Sequence, residues 1–186
     1  MKKVKLGEIA EVISGLSYRR YREEDGRMFN VIVQRSIKKD GVLDDFEKIR
    51  LREPKEQYFT KSGDILMKMP YPYDVVCTSQ ENLIVSDRIA IIRLREGFDP
   101  SFIAHLLTNA HVKKQLHELG STEKIPHTSL REIKELGLAV PDYETQVKCG
   151  ELLNTIDEKI AEDLKLVEYD RNLKEGILNR IWEESK

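Results

Sequence analysis

The sequence predicts an α+β chain, with a mostly antiparallel sheet and flanking helices followed by one long C-terminal helix of the coiled-coil kind. Three observations carry this. After Pro141 there is no further proline, and Leu153, Ile156, Ile160, Leu164 and Val167 step by three and four, a series that Ile177 and Ile181 resume. That spacing lays one apolar stripe along a helix. Short β-branched runs such as Phe29-Asn-Val-Ile-Val-Gln34 and Ile89-Ala-Ile-Ile-Arg-Leu94 are bounded by turn residues and read as strands. Helix-start signals stand among the strands rather than replacing them, which is the order of a mixed fold.

Element by element, Leu6, Ile9, Ala10 and Ile13 are spaced as one face of a short helix ending near Gly15. Residues 16–27 are rich in Tyr and Arg and lack periodicity, so they read as a loop. A strand follows over Phe29–Gln34, then a turn at Lys38-Lys-Asp-Gly41. Tyr58-Phe59, Lys61-Ser-Gly-Asp64 and Ile65-Leu-Met67 read as strand, turn and strand. Met69-Pro-Tyr-Pro-Tyr-Asp74 is an aromatic loop, because its prolines oppose regular structure. Leu83–Val85 and Ile89–Leu94 read as paired strands about Ser86-Asp-Arg88.

Asp99-Pro100 opens a helix with Asp as N-cap and Pro in the first turn, and Phe102 to Leu116 supply its apolar face. Gly120–Lys124 is a loop, and Ser129-Leu-Arg-Glu132 is a capping box. Leu136, Leu138 and Val140 alternate as a strand, and Asp142 caps the final helix. That helix of roughly forty residues extends for about 60 Å. A stripe so narrow on a helix so long calls for a partner helix, and self-association through the seven residues of the stripe is expected, with Trp182 as an end anchor. Packing along its own domain is the alternative.

Formal net charge is −2, but unevenly spread. Residues 1–39 hold ten Lys/Arg against five acids, and residues 142–186 hold seven against twelve. A basic head suits a polyanion and an acidic arm suits protein, although an ordinary solvated surface is the plain alternative. No apolar run approaches membrane-spanning length, and the basic N-terminus lacks the apolar core of a signal peptide. Two distant cysteines, Cys77 and Cys149, make a disulfide framework unexpected and the cytoplasm the default.

Candidate nucleic-acid contacts follow from residue type. Tyr18, Arg19, Arg20, Tyr21, Arg22 and Arg27 interleave cations with aromatics, as phosphate and base contacts require. The same loop contains Glu23-Glu-Asp25, so a merely charged solvated loop is the competing reading. Gln34 and Arg35 suit adenine and guanine edges, and Lys38 and Lys39 suit phosphate. Lys68, Tyr71 and Tyr73 flank the Pro-rich loop, where packing of the tyrosines competes with contact. Ser79, Gln80 and Asn82 can read bases or satisfy a turn. Lys124, His127 and Thr128 precede the capping box.

Signals of catalysis are weak. Pro141-Asp142 with Asp163-Leu-Lys165 fits a nuclease string, but on one helix the two acids stand about 30 Å apart. His105, His111, His117 and His127 contain no pair spaced for zinc, and neither cysteine has a CxxC partner. The glycine-rich fingerprints of nucleotide and dinucleotide sites are absent from the sequence. No catalytic residue, metal or cofactor is therefore expected.

Several short motifs, in order, resemble the recognition half of a specificity (S) subunit of type I restriction–modification systems. They are Lys5-Leu-Gly-Glu-Ile-Ala10 with Ser14-Gly15, Gly63-Asp-Ile-Leu66, and Gly120 with Leu130, Ile133 and Pro141. Pro141 and Gln146 with Leu153, Asp157 and Ile160 resemble the start of its conserved helix, and Leu173-Lys-Glu-Gly-Ile-Leu178 its end. Thr145 departs from the family's usual Glu before that Gln.

The resemblance implies a target-recognition domain over residues 1–141 and a dimerisation and spacer arm over 142–186. It implies a non-catalytic subunit that binds double-stranded DNA and recruits methyltransferase subunits and a restriction ATPase/nuclease subunit. It also sets Lys124 and His127 near DNA. A full S subunit has two such halves with antiparallel helices, so this chain is expected either to pair with itself on an interrupted palindrome or to be one half of a longer protein. Two other readings stand beside this one: a coiled-coil adaptor whose head binds protein, and a self-sufficient nuclease.

Overall fold

A computed structural model describes residues 1–38, 41, 43–119 and 127–184. Along the chain run β1 (Lys2–Lys5), α1 (Leu6–Ile9), β2 (Ala10–Ser14), β3 (Arg22–Ile32), β4 (Glu47–Leu51), β5 (Asp64–Lys68) and β6 (Val75–Thr78). They are followed by β7 (Ile84–Val85), β8 (Ile89–Leu94), α2 (Pro100–Thr108), α3 (Ala110–Leu119), α4 (Leu130–Glu135), β9 (Gly137–Val140) and α5 (Tyr143–Glu184). The strands form three sheets, ordered β1-β9, β2-β8-β5-β6 and β4-β3-β7. All pairings are antiparallel except β3 with β7. The class is the α+β arrangement expected, and the long final helix is present.

The central four-stranded sheet is buried on both faces. Ile65 and Met67 of β5 and Ala90 and Ile92 of β8 enter one cluster, with Ile103 and Leu107 of α2 and Ile133 of α4. The alternate residues Leu66, Ile89 and Ile91 enter a second cluster with Ile32. Double burial explains why β5 and β8 read as continuous apolar runs rather than as alternating ones. A third cluster, with Tyr18, Val31, Ile49, Leu51 and Ile84, supports the sheet β4-β3-β7. Inside this packing, Arg93 Nε lies 3.0 Å from Asp64 Oδ1, and its Nη2 donates to the carbonyl of Phe59 at 2.7 Å.

Several local expectations need correction. The helix over residues 6–13 is one turn, α1, and Ala10–Ser14 is a strand. Leu6, Ile9, Ala10 and Ile13 fit a helical face, but Ala10 and Val12 also alternate inward, and β8 supplies the pairing that decides. The loop over 16–27 is instead a 3₁₀ turn at Tyr18–Tyr21 followed by β3. Arg22 and Arg27 both stand opposite Leu51, so the intervening residues form a bulge. At its close a Cβ on Gly26 would lie 2.5 Å from the Leu51 carbonyl, so a glycine is required there.

Tyr58 ends a 3₁₀ turn rather than a strand, and Phe59 makes a single bridge to Ile84. The segments 83–85 and 89–94 are not paired with each other: β7 lies beside β3, and β8 between β2 and β5. The Ser86–Arg88 link crosses between sheets, with Ser86 N donating to Ile32 O and Asp87 N to Leu16 O. The single helix after Asp99 is two helices, because Asn109 is extended (ψ 141°) and its Oδ1 accepts from His111 N at 2.8 Å. Strands β1, β4 and β6 were not anticipated.

The cap expectations are met. Asp99 Oδ1 accepts from Phe102 N at 2.7 Å, Ser129 and Glu132 close a reciprocal box, and Asp142 Oδ1 accepts from Thr145 N at 3.0 Å. The chain divides into two compact units, Met1–Glu151 and Leu152–Lys186. The first turns of α5 thus belong to the globular unit. There Gln146, 2% exposed, accepts from Asp99 N and donates to Pro141 O. A Cβ on Gly150 would press to 2.7 Å from Asp99 Oδ1. In the second unit α5 continues with Ile156, Ile160, Leu164, Val167, Ile177 and Ile181 all exposed. Among the described residues no helix is long and apolar enough to cross a membrane.

Candidate nucleic-acid interface

The register of the central sheet gathers its chemistry at one end. Ser14 of β2 pairs with Ala90 of β8, Lys68 of β5 with Ile89, and Val75 of β6 with Met67. The loops that leave Ser14, leave Lys68, enter Val75 and enter Ile89 therefore emerge side by side. Backbone hydrogen bonds stitch them: Gly15 N to Ile89 O at 3.1 Å, Leu16 N to Val85 O at 2.7 Å, and Met69 N to Arg88 O at 3.1 Å. Because β3 runs parallel to β7, its end at Ile32 leads Gln34 and Arg35 to the same place.

The result is a cleft of about 710 Å³ lined by Tyr18, Arg19, Arg20, Gln34, Arg35, Glu47, Asp87 and Arg88 among others. Arg19, Arg20 and Arg88 are exposed. Arg35 is already engaged, its Nε 3.1 Å from Asp45 and its Nη1 2.7 Å from Glu47. Those carboxylates hold its guanidinium above its usual value, Glu47 foremost. Tyr18 is buried beneath the cleft, with its hydroxyl 3.5 Å from Glu47. Such a mouth offers guanidinium donors, an amide and a carboxylate wall, a mixture suited to phosphate and base-edge hydrogen bonds.

The sequence candidates divide accordingly. Tyr18, Arg19, Arg20, Gln34 and Arg35 come together; Arg22 and Arg27 lie at the other end of β3, opposite Leu51. Arg27 sits over the Phe29 ring at 5.6 Å, and the ring of Tyr21 is covered by Arg52 at 4.4 Å. Lys38 pairs with Asp44 at 3.2 Å. Lys68 is mostly buried in an ion pair with Asp74 at 2.9 Å, and Tyr73 is in the core, so both serve packing before any contact. Tyr71 is exposed beside them. Gln80 is exposed and reaches the Leu43 carbonyl at 3.4 Å. His127 bridges Pro70, while Lys39 and Lys124 lie outside the described residues.

Sequence reasoning missed Arg88, which looked like part of a hairpin turn. It also missed Lys48 and Arg50, which stand opposite Asn30 and Met28 on the exposed face of the β3–β4 ladder. Alternation in Glu47-Lys-Ile-Arg-Leu51, with Ile49 and Leu51 buried, was the available signal for them. Burial pushes the Cys77 thiol up to about 11, so it stays protonated and unreactive at neutral pH.

Comparisons with known proteins agree with this architecture. A family model described as "Type I restriction modification DNA specificity domain" matches residues 1–168. No curated protein matches the chain. Among solved structures, the HsdS subunit from Thermoanaerobacter tengcongensis is similar with a TM-score of 0.69 at 18% identity, over 89% of this chain and 44% of that one. The type I restriction–modification S subunit from M. genitalium gives 0.59 at 16%, over 92% and 42%. A chain of the type I R-M system, solved in work on its complex assembly and conformational transition, gives 0.64 at 16%, over 86% and 39%. At such identities the likeness shows the fold. The chain spans less than half the length of each of these three.

Proposed function

The chain belongs to the family of type I restriction modification DNA specificity domains, and from that premise we propose that it reads a DNA sequence for a restriction–modification complex and does no chemistry itself. In this reading residues 1–141 recognise double-stranded DNA in the cytoplasm, and residues 142–186 are the dimerisation and spacer arm. The complex's methyltransferase subunits and its restriction ATPase/nuclease subunit are the partners positioned on a bipartite site. The observation that carries the reading is the meeting of Arg19, Arg20, Gln34 and Arg88 at one cleft from three separate stretches of chain. Nothing comparable favours the protein-binding adaptor.

Arg19, Arg20 and Arg88 are assigned to phosphate and guanine, and Gln34 to adenine. Arg22, Arg27, Lys48 and Arg50 extend the contact along the backbone. Lys38, Lys39, Gln80, Lys124 and His127 are peripheral members, and Arg35 orients the cleft through its carboxylate partners.

The arm is assigned to a second copy. Of the expected stripe, Leu153, Ile160, Leu164 and Val167 lie on a seam of alternating steps of four and three that also takes in Asp157, Arg171, Lys174 and Leu178 and reaches Ile181, with Ile156 and Ile177 flanking it. When two such helices run antiparallel with Leu164 against Val167 of the second copy, Leu153 falls opposite Leu178 and Asp157 opposite Lys174. Asp157 and Lys174 then meet with opposite sign, twice by symmetry, while Arg171 falls opposite Ile160.

The deciding experiment measures binding of the full chain to a randomised duplex pool across salt concentrations. Sequence enrichment and a linear fall of log affinity with log salt are expected. Each of Arg19→Ala, Arg20→Ala and Arg88→Ala should lower the salt slope by about one. Unchanged affinity in the triple variant removes the cleft from the interface.

A further inference from the structure

We infer that Tyr71 is a base-stacking residue, held out at the DNA-reading end of the sheet to lie against a nucleobase, and that Tyr73 is the residue that positions it. This rests on the DNA-binding reading above. The two tyrosines stand two positions apart in one loop with opposite fates: Tyr71 is 62% exposed and Tyr73 is 1% exposed. Their rings meet edge to face, with centroids 5.8 Å apart and planes at 85°. An exposed ring seated on a buried one is restrained in orientation before any ligand arrives.

The loop beneath them is tied at many points. Lys68 N donates to Asp74 O at 2.9 Å, and the same two residues close the buried ion pair. Tyr73 N donates to Pro70 O, Thr128 N to Met69 O, and His127 bridges Pro70. Met69 N donates to the carbonyl of Arg88, so the loop is fixed directly to a cleft arginine.

Tyr73 also bears two costs. Its φ is 58°, in the left-handed region that bulky residues rarely adopt, and among the described residues its buried hydroxyl has no hydrogen-bond partner. Backbone strain of this kind persists where the surroundings over-determine it, and it collects at ligand-binding sites. What the arrangement achieves is the presentation of one aromatic face.

The occupant follows from the neighbours. The loop is tied through Met69 N to the carbonyl of Arg88, a residue of the arginine-lined cleft, and basic grooves combined with exposed aromatic rings are the means by which proteins hold nucleic-acid backbone and base together. Within a duplex, a base face is reachable only where a step is opened, so Tyr71 acts at an unstacked or kinked step of the target.

The test uses the full chain and the duplex sequence enriched from the randomised pool, with the fluorescent base analogue aminopurine placed at successive positions. Wild type and Tyr71→Phe should raise the fluorescence at one position, because stacking needs the ring and not the hydroxyl. Tyr71→Ala should abolish the rise and weaken binding about 5- to 100-fold while leaving the salt slope unchanged. Tyr73→Leu, which keeps burial but not the edge-to-face contact, should lower the rise at saturating protein, and Tyr73→Phe should restore it. If Tyr71→Ala binds and brightens the duplex as wild type does, the stacking role is overturned while the DNA-binding reading stands. If wild type enriches no sequence, both are overturned together.

Discussion

Ile91 and Ile160 carry the same side chain into opposite circumstances. Ile91, in β8, is 0% exposed within the second core cluster; Ile160, in the second unit, is 48% exposed. The globular unit closes its own apolar surface and satisfies its buried ions. The arm leaves its apolar stripe exposed, and a helix gains little from propensity alone. On the proposed pairing of two arms, the two units answer to different conditions: temperature and denaturant govern the first, and protein concentration governs the second.

The largest effect should come from the buried ion pair of the first unit. Asp64→Ala leaves Arg93 without its carboxylate, and loss of one partner of a buried pair costs ~3–5 kcal/mol. Urea denaturation of the globular unit's signal should show it, and a loss under ~1 kcal/mol would mean that Arg93 escapes to solvent. The matched pair of isoleucines comes next. Ile91→Ala should destabilise the globular unit by ~2–5 kcal/mol. Ile160→Ala should leave that unit within ~0.5 kcal/mol but raise the dimer's dissociation constant. Equal effects on unfolding at low concentration would erase the distinction between the units.

The smallest and most specific effect concerns the seam. Asp157→Lys should weaken self-association, measured by light-scattering mass across a dilution series, and the Asp157→Lys, Lys174→Asp double variant should recover it. Single exposed pairs contribute only ~0.2–1 kcal/mol, doubled here by symmetry. A double variant no better than the single would exclude that register. A wild-type chain that remains a monomer at high concentration would exclude the second copy altogether.

Local chemistry made some of this legible in the sequence. Asp99-Pro100, Ser129 with Glu132, and Asp142 each announce a helix start, because a cap acts through the two or three residues beside it. Stripe periodicity over α5 is long enough to be unambiguous. The start of the chain was not legible, because Leu6 to Ile13 satisfies helical spacing and strand alternation together, and the choice is made by β8, some eighty residues on. The Arg- and Gln-bearing stretches were recognisable by residue type. Arg88 was not, since its importance depends on Ser86–Arg88 crossing between sheets rather than turning back. Nor did residue type reveal that Lys68 and Tyr73 are occupied inside the fold, which took the burial of Asp74 and of the Tyr73 ring to see.

The gathering of loops at one end of the central sheet has an evolutionary consequence. Strand pairing at Ser14, Met67, Lys68, Ala90 and Ile89 is closed behind that end, and the side chains proposed to read DNA at the cleft lie beyond it. Exposed residues there, such as Arg19, Arg20, Tyr71 and Arg88, can change without disturbing the packed layers, whereas Tyr18, Met69 and Tyr73 are part of them. A lineage with such a chassis can vary its exposed side chains one at a time while keeping the core beneath them.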